Sequence, residues 1–231
     1  MSEAAPETID ELLRRARQIS GLPLAKVARD LGRDMPPDLR RHKGWIGRLM
    51  EDVLGADAGN APVADFHRLG VELKTIPVDR HGRVRESTFV CSVPQAQPDE
   101  VRWQTSHARA KLSKILWIPI LDAPDLPLAH RVIGSPLLWS PTPYEEALLA
   151  QDWREHLEVI RQGLVDTITA HDGQVLQIRP KGARADSPAW GVDERGEAIL
   201  TSPRAFYLRA QFTESLLRAH FSVDPASPDG T

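Results

Sequence analysis

Cysteine is almost missing from this chain: Cys91 is the only one in 231 residues. That excludes a disulfide framework and a thiolate metal site. Long apolar runs are missing too. No stretch approaches the ~18 uninterrupted apolar residues of a membrane span. The start, Met1-Ser-Glu-Ala-Ala-Pro-Glu7, is acidic and lacks the apolar core of a secretory signal. A cytoplasmic protein with no membrane association is expected. The eight histidines show no H-x-x-x-H spacing, and no phosphate-cradling G-x-x-x-x-G-K-S/T loop occurs, so nucleotide hydrolysis is not expected of this chain. Excess positive charge is also lacking, with a net charge of −3 and a pI of about 6.2. If the chain binds DNA, its basic groups must be gathered in a cleft. Non-specific affinity should then be modest, and a partner is needed to bring it to its substrate. Only six of the 29 basic residues are lysine; the arginines suit bidentate grips on phosphate or guanine.

What is present is an ordinary globular balance, 41% hydrophobic and 26% charged, long enough for a sizeable core. Apolar residues at helical spacing predict a helix over Glu7–Ser20, a short one over Pro23–Leu31, and a third from Gly44 to Leu54 between glycines. Alternation predicts strands at Gly70–Val78 and Ser87–Val93, joined as a hairpin through Asp79-Arg80-His81-Gly82. Gln95–Glu100 reads as a polar loop, Ser106–Ser113 as helix and Ile115–Ile120 as a buried strand. Asp122–Pro143 should be mostly irregular, and Pro143–Gly163 a long helix. A second hairpin is predicted from Thr167–Ala170 and Val175–Arg179 around His171-Asp172-Gly173. An extended run over Ala198–Arg209, a helix over Gln211–His220 and a frayed tail at Val223–Thr231 complete the chain. No linker or repeat is visible. The expectation is one domain with two lobes, about 7–105 and 106–222, sharing one cleft.

Asp65, followed by Glu72-x-Lys74, is the most informative pattern. On a strand, Glu72 and Lys74 share a face opposite Val71 and Leu73. Acids and a lysine so placed can hold magnesium and orient a water for phosphodiester cleavage. The pattern by itself is weak, because chance placement of these acids and lysines gives it about once. Its ordinary reading is an exposed Glu and Lys on the wet face of a half-buried strand. Context adds to it. On the third helix, Glu51 has Gly44, Gly47 and Arg48 one or two turns before it. Two glycines let a backbone approach, and Lys43 at the helix start favours a phosphate. Asp65, Glu72 and Glu51 supply oxygen ligands for one or two magnesium ions. Lys74 could position or help deprotonate the water. Gln177 and Arg179 share a strand face, Pro180 ends the pairing, and Lys181 is thrown forward; Arg or Lys donating to guanine is the commonest specific base contact. Tyr207 is either a core edge residue or a base contact. His107 reads as structural or DNA-facing, and the tryptophans as core.

These residues resemble one family. Lys43-Gly-Trp-Ile-Gly47, Leu69-Gly-Val-Glu-Leu-Lys-Thr-Ile-Pro-Val-Asp79, Thr88-Phe-Val-Cys91, Leu116-Trp-Ile-Pro119, Gly134-Ser-Pro-Leu-Leu-Trp-Ser-Pro141, Leu176-Gln-Ile-Arg-Pro-Lys181 and Phe206-Tyr-Leu208 look like the ordered blocks of the MutH family, over about Thr8 to His220. Restriction endonucleases that cut GATC are similar more weakly. The resemblance implies an α/β type II restriction-endonuclease-like fold, a mixed sheet with flanking helices and two arms around a DNA-binding cleft. It implies magnesium-dependent nicking of the unmethylated strand at hemimethylated d(GATC), and activation by MutL after MutS has found a mismatch. It places Glu51, Asp65, Glu72 and Lys74 in the active site. Arg179, Lys181 and Tyr207 fall on base-reading positions, Tyr207 near the adenine whose methylation is sensed. Two departures stand out: the basic pair Arg80-His81 at the hairpin tip, and Gly182–Gly191, which does not align.

Two other classes remain open from the sequence. One is a GATC-specific restriction endonuclease making double-strand breaks, although a monomer with one metal site favours nicking. The other is a non-catalytic DNA-binding repair module with a degenerate site.

Overall fold

Local sequence rules build the N-terminal helices. The computed structural model describes residues 4–59, 61–96, 98, 101–181 and 188–221. Helix α1 (Ile9–Ile19) starts at Thr8, whose hydroxyl accepts from the Glu11 N–H, and buries Leu12, Ala16 and Ile19. Helix α2 (Leu24–Asp30) follows Pro23. Helix α3 (Trp45–Leu54) runs between Gly44 and Gly55, both left-handed at φ 82° and 77°, a conformation that glycine adopts without strain. Its buried side is Leu49, Met50 and Leu54; Trp45, Ile46 and Val53, which periodicity also assigns to the core, are only partly covered.

The first sheet has the order β1-β3-β4. Strand β1 (Glu72–Val78) lies parallel to β3 (Ile115–Leu121), with Glu72 opposite Ile115 and Lys74 opposite Trp117. Strand β4 (Leu137–Trp139) is antiparallel to β3. A parallel neighbour needs a crossover. The chain between them supplies it, carrying β2 (Thr88–Ser92) and α4 (His107–Leu112). The sheet separates two apolar clusters. Val71, Leu73, Leu116 and Ile118 pack on the side of α1–α3, while Ile76, Ile115 and Trp117 face the C-terminal elements. It joins strands from before and after residue 105.

The second sheet has the order β2-β8-β5, all antiparallel, with β5 spanning Leu176–Pro180 and β8 Arg204–Leu208. Strands β6 (Ala189–Val192) and β7 (Ala198–Thr201) form a separate hairpin. Helix α5 (Pro143–Arg161) opens with a capping box between Thr142 and Glu145, and α6 (Ala210–His220) closes the described chain. Asp152 on α5, 0% exposed, accepts the N–H groups of Gln174, Val175 and Leu176, and His156 Nε2 bonds Leu176 O at 3.0 Å. No helix among the described residues is long and apolar enough to cross a membrane.

Three expectations need correction. The first hairpin is only a turn. Asp79 accepts from the His81 and Arg83 N–H groups and Val78 bridges Val84, but β1 then pairs with β3 and β2 with β8. Strand β3, buried on both faces, lies between the two cores and takes β1 as its neighbour, so β1 joins that sheet and not a two-stranded ribbon with β2. The second hairpin is missing as well, because Asp152 takes the amides that open β5, and β5 pairs with β8. The proline-rich stretch is mostly irregular, as expected, its strand among the described residues being the short β4, whose Leu137 and Trp139 enter the core. The run Ala198–Arg209 is two strands in different sheets, broken between Thr201 and Arg204 at Pro203. The tail Val223–Thr231 and residues 182–187 lie outside the described residues.

Candidate functional site

Chain reversal creates the site. Phe66 and Val71 bridge around a single 3-10 turn, His67–Leu69, with Gly70 left-handed at φ 63°. Asp65 is thereby carried back beside β1, where its Oδ2 accepts the Leu73 N–H at 2.7 Å. Glu72 is 3% exposed. This overturns the solvated-face reading of the strand: β1 has no wet side at this point. One Glu72 oxygen accepts from Lys74 Nζ at 2.8 Å, the other from Lys111 Nζ at 2.7 Å. Lys111, on α4, also donates to Val63 O at 2.6 Å. Sequence reading missed Lys111. It lies 39 residues from Glu72 on a short helix, and only the β1–α4–β3 crossover brings it in.

The carboxylates repel one another. Burial pushes the Asp65 pKa above its ordinary value and the Glu72 charge adds to it; the Leu73 N–H, Lys111 and Lys74 pull the other way. Glu51 is likewise raised, first by burial, then by Asp65 and Asp52, with Arg48 opposing. So Glu51, Asp65, Glu72 and Lys74 do converge. They do not form a finished ligand set: among the described residues no three His, Cys, Asp or Glu side chains are arranged to hold a metal ion. Both Glu72 oxygens are held by ammonium groups, which have to yield to a cation. The donor chemistry, all carboxylate oxygen under mutual repulsion, suits a hard divalent ion such as magnesium.

A cleft of about 450 Å³ runs beside this cluster, lined by Gly44, Gly47 and Glu51 from α3, Lys74 and Thr75 from β1, and Phe89 from β2, among others. The glycine stripe is open: among the described residues nothing comes within 4 Å of a Cβ at Gly47. Lys43 is exposed at the α3 start. Arg48 lines a second hollow of about 200 Å³ with Arg33, Trp45 and Asp52, not the Lys74 cleft; Glu51 borders both. Burial and then Lys111 lower the His107 pKa. Burial raises the Cys91 thiol to about 12, so it stays protonated and is no nucleophile.

The second sheet presents the other residues singled out. Tyr207 on central β8 stands between Gln177 and Phe89. The Arg179 guanidinium lies 6.0 Å from the Tyr207 ring centroid. Lys181 Nζ and Lys74 Nζ lie 5.8 Å and 6.0 Å from the Phe89 ring, one from each functional group. Phe89 is 39% exposed and went unremarked in the sequence, where it looks like a strand residue. Pro180 does not end the pairing at once: it stays opposite Arg204, and the Lys181 N–H reaches Pro203 O at 2.7 Å. Four of the six tryptophans are buried, but Trp190 is 59% exposed.

Comparison with known proteins identifies the family. Residues 54–152 match the family model described as DNA mismatch repair enzyme MutH. The DNA mismatch repair protein MutH of Vibrio cholerae serotype O1 is 50% identical over 220 residues, covering 94% of this chain and 99% of that protein. The DNA mismatch repair protein MutH of Escherichia coli K12 is 50% identical over 218 residues, covering 94% and 95%. With half of its residues identical over nearly the full length of both relatives, the chain belongs to the MutH family.

Proposed function

We propose that this chain is a magnesium-dependent DNA endonuclease that nicks the unmethylated strand at hemimethylated d(GATC) sites in methyl-directed mismatch repair. It acts as a cytoplasmic monomer on double-stranded DNA, activated by MutL after MutS has found a mismatch. The reading includes a type II restriction-endonuclease-like fold with two arms around the DNA. The observation that carries it is the convergence of Glu51, Asp65, Glu72, Lys74 and Lys111 beside an open cleft. The 50% identity to proteins named for DNA mismatch repair supports it.

Asp65, Glu72 and Glu51 would hold one or two ions. Bound magnesium supplies a polarised phosphate and a bound water of lowered pKa. Lys74 and Lys111, once loosened from Glu72, offset the charge that builds on the scissile phosphate, and Lys74 is placed to orient the attacking water. Lys43 and the α3 N-terminus seat a neighbouring phosphate. Arg48, beside its own hollow, meets the backbone at the edge of the site. Arg179 and Lys181 donate to guanine acceptors, with Pro180 fixing the strand end between them. Tyr207, in the same row, meets the adenine whose methyl group is sensed.

One plasmid experiment tests this reading. Unmethylated, hemimethylated and doubly methylated GATC plasmids are compared with and without magnesium and the MutL homologue. Open circles from the first two substrates, dependent on magnesium and increased by MutL, are expected. Efficient linearisation without a partner would make the protein a restriction endonuclease. No cleavage with magnesium and MutL present would make it a binding module.

A further inference from the structure

The cations assigned to base reading are held differently from several other arginines of the chain. Arg204 pairs with Asp166, Arg85 with Asp79 and Arg33 with Asp52. Arg179 Nη1 instead donates to Ser87 Oγ at 2.8 Å, and Lys181 Nζ to Ser92 Oγ at 2.8 Å. A carboxylate partner would cancel the charge that DNA must feel. A hydroxyl accepts one hydrogen bond and leaves the charge and the remaining donors free. Both serines lie beyond the central strand: Ser87 immediately precedes β2 and Ser92 ends it, whereas the cations come from β5 and its end. Each side chain therefore spans β8, Arg179 beside the Tyr207 ring of that strand and Lys181 ending beside the Phe89 ring of β2.

A defect in β2 makes this possible. Phe89 pairs with Tyr207, but Cys91, not Val90, pairs with Phe206. The extra residue is a bulge. Val90 and Cys91 are both buried, at 2% and 4%, and Ser92 returns to the outer face. Unbroken alternation from Phe89 would turn Cys91 outward and bury Ser92.

We propose that Ser87 and Ser92 are positioning residues for base recognition, neutral rests that keep Arg179 and Lys181 extended over the aromatic row before DNA arrives. This rests on the base-reading assignment made above. Long cations lose much rotamer freedom on binding, and holding them in advance lowers that cost.

The test uses the full chain on duplexes carrying GATC or a single base-pair change. The readout is the ratio of kcat/KM between the two. Ser87→Ala and Ser92→Ala should each lower that ratio by about 3- to 10-fold, the worth of one ordinary hydrogen bond. The loss on GATC should lie in KM, with kcat kept, because neither serine touches the reacting groups. Ser87→Thr and Ser92→Thr, which keep the hydroxyl, should restore it. A wild-type ratio in both alanine variants, while Arg179→Ala and Lys181→Ala lose discrimination, overturns the inference and leaves the base-reading assignment intact. Equal loss in alanine and threonine variants also overturns it. If Arg179→Ala and Lys181→Ala leave the ratio unchanged, the assignment itself fails, and the inference with it.

Discussion

Glu72 is a buried carboxylate gripped from both sides by lysines, and its neighbours show what that environment costs. Asp65 and Glu51 have pKa values raised by burial and by nearby acids. The folded protein therefore binds their protons more tightly than the unfolded chain does. The stability they contribute is full below the ordinary carboxyl pKa of about 4 and is lost as pH rises through the folded values. At neutral pH the metal-free fold carries this repulsion. Asp65→Asn, whose amide oxygen still accepts from Leu73, should raise Tm in chelator at pH 7.5, by about 2–4 °C for each kcal/mol relieved. It should also abolish nicking. Calorimetry should show the Tm gain shrinking as pH falls through the raised Asp65 pKa and the wild-type carboxylate takes up its proton; a gain independent of pH would rule out repulsion as its cause. Lys111→Ala should lower kcat by about 100-fold with KM little changed, the scale seen when one preorganised donor to a developing anion is removed. Single-turnover nicking checks this.

The elements differ in how they were legible. Helices α1, α3 and α5 follow from local periodicity, caps and flanking glycines, all inside one stretch of chain. Strands were recognisable, but their partners were not. The turns at Asp79 and His171 look like hairpin turns, and the chain does reverse at Asp79. What decided the pairing lay far away: β3 for β1, and Asp152 for the start of β5. Asp152→Ala strands the buried Val175 and Leu176 amides and should cost at least about 2 kcal/mol, a Tm loss of about 4–8 °C. Asp152→Asn, which keeps an acceptor, should lose clearly less. Equal losses would show that α5 packing, not the clasp, fixes β5.

At the scale of the molecule, a net charge of −3 sits poorly with tight non-specific DNA binding, so the cationic face must act locally. Lys43 stands exposed at the α3 start, and Arg179 and Lys181 keep neutral hydrogen-bond partners. Lys43→Ala should weaken binding about equally for GATC and unrelated duplexes, and should reduce the slope of log K against log salt by about 0.9. Selective loss on GATC in a filter-binding titration would make Lys43 a base contact instead.

The order of residues by itself determined the helices, the Asp65–Glu72–Lys74 pattern, Glu51 on an open glycine stripe and the family. These depend on local periodicity or on ordered blocks, which need no knowledge of pairing. Only the tertiary structure decided that Glu72 is buried, that Lys111 completes its grip, and that a bulge at Val90 brings Phe89 and Ser92 onto the face of Tyr207. Burial and long-range hydrogen bonds depend on which distant segment arrives as neighbour, and one inserted residue reverses which side chains face out.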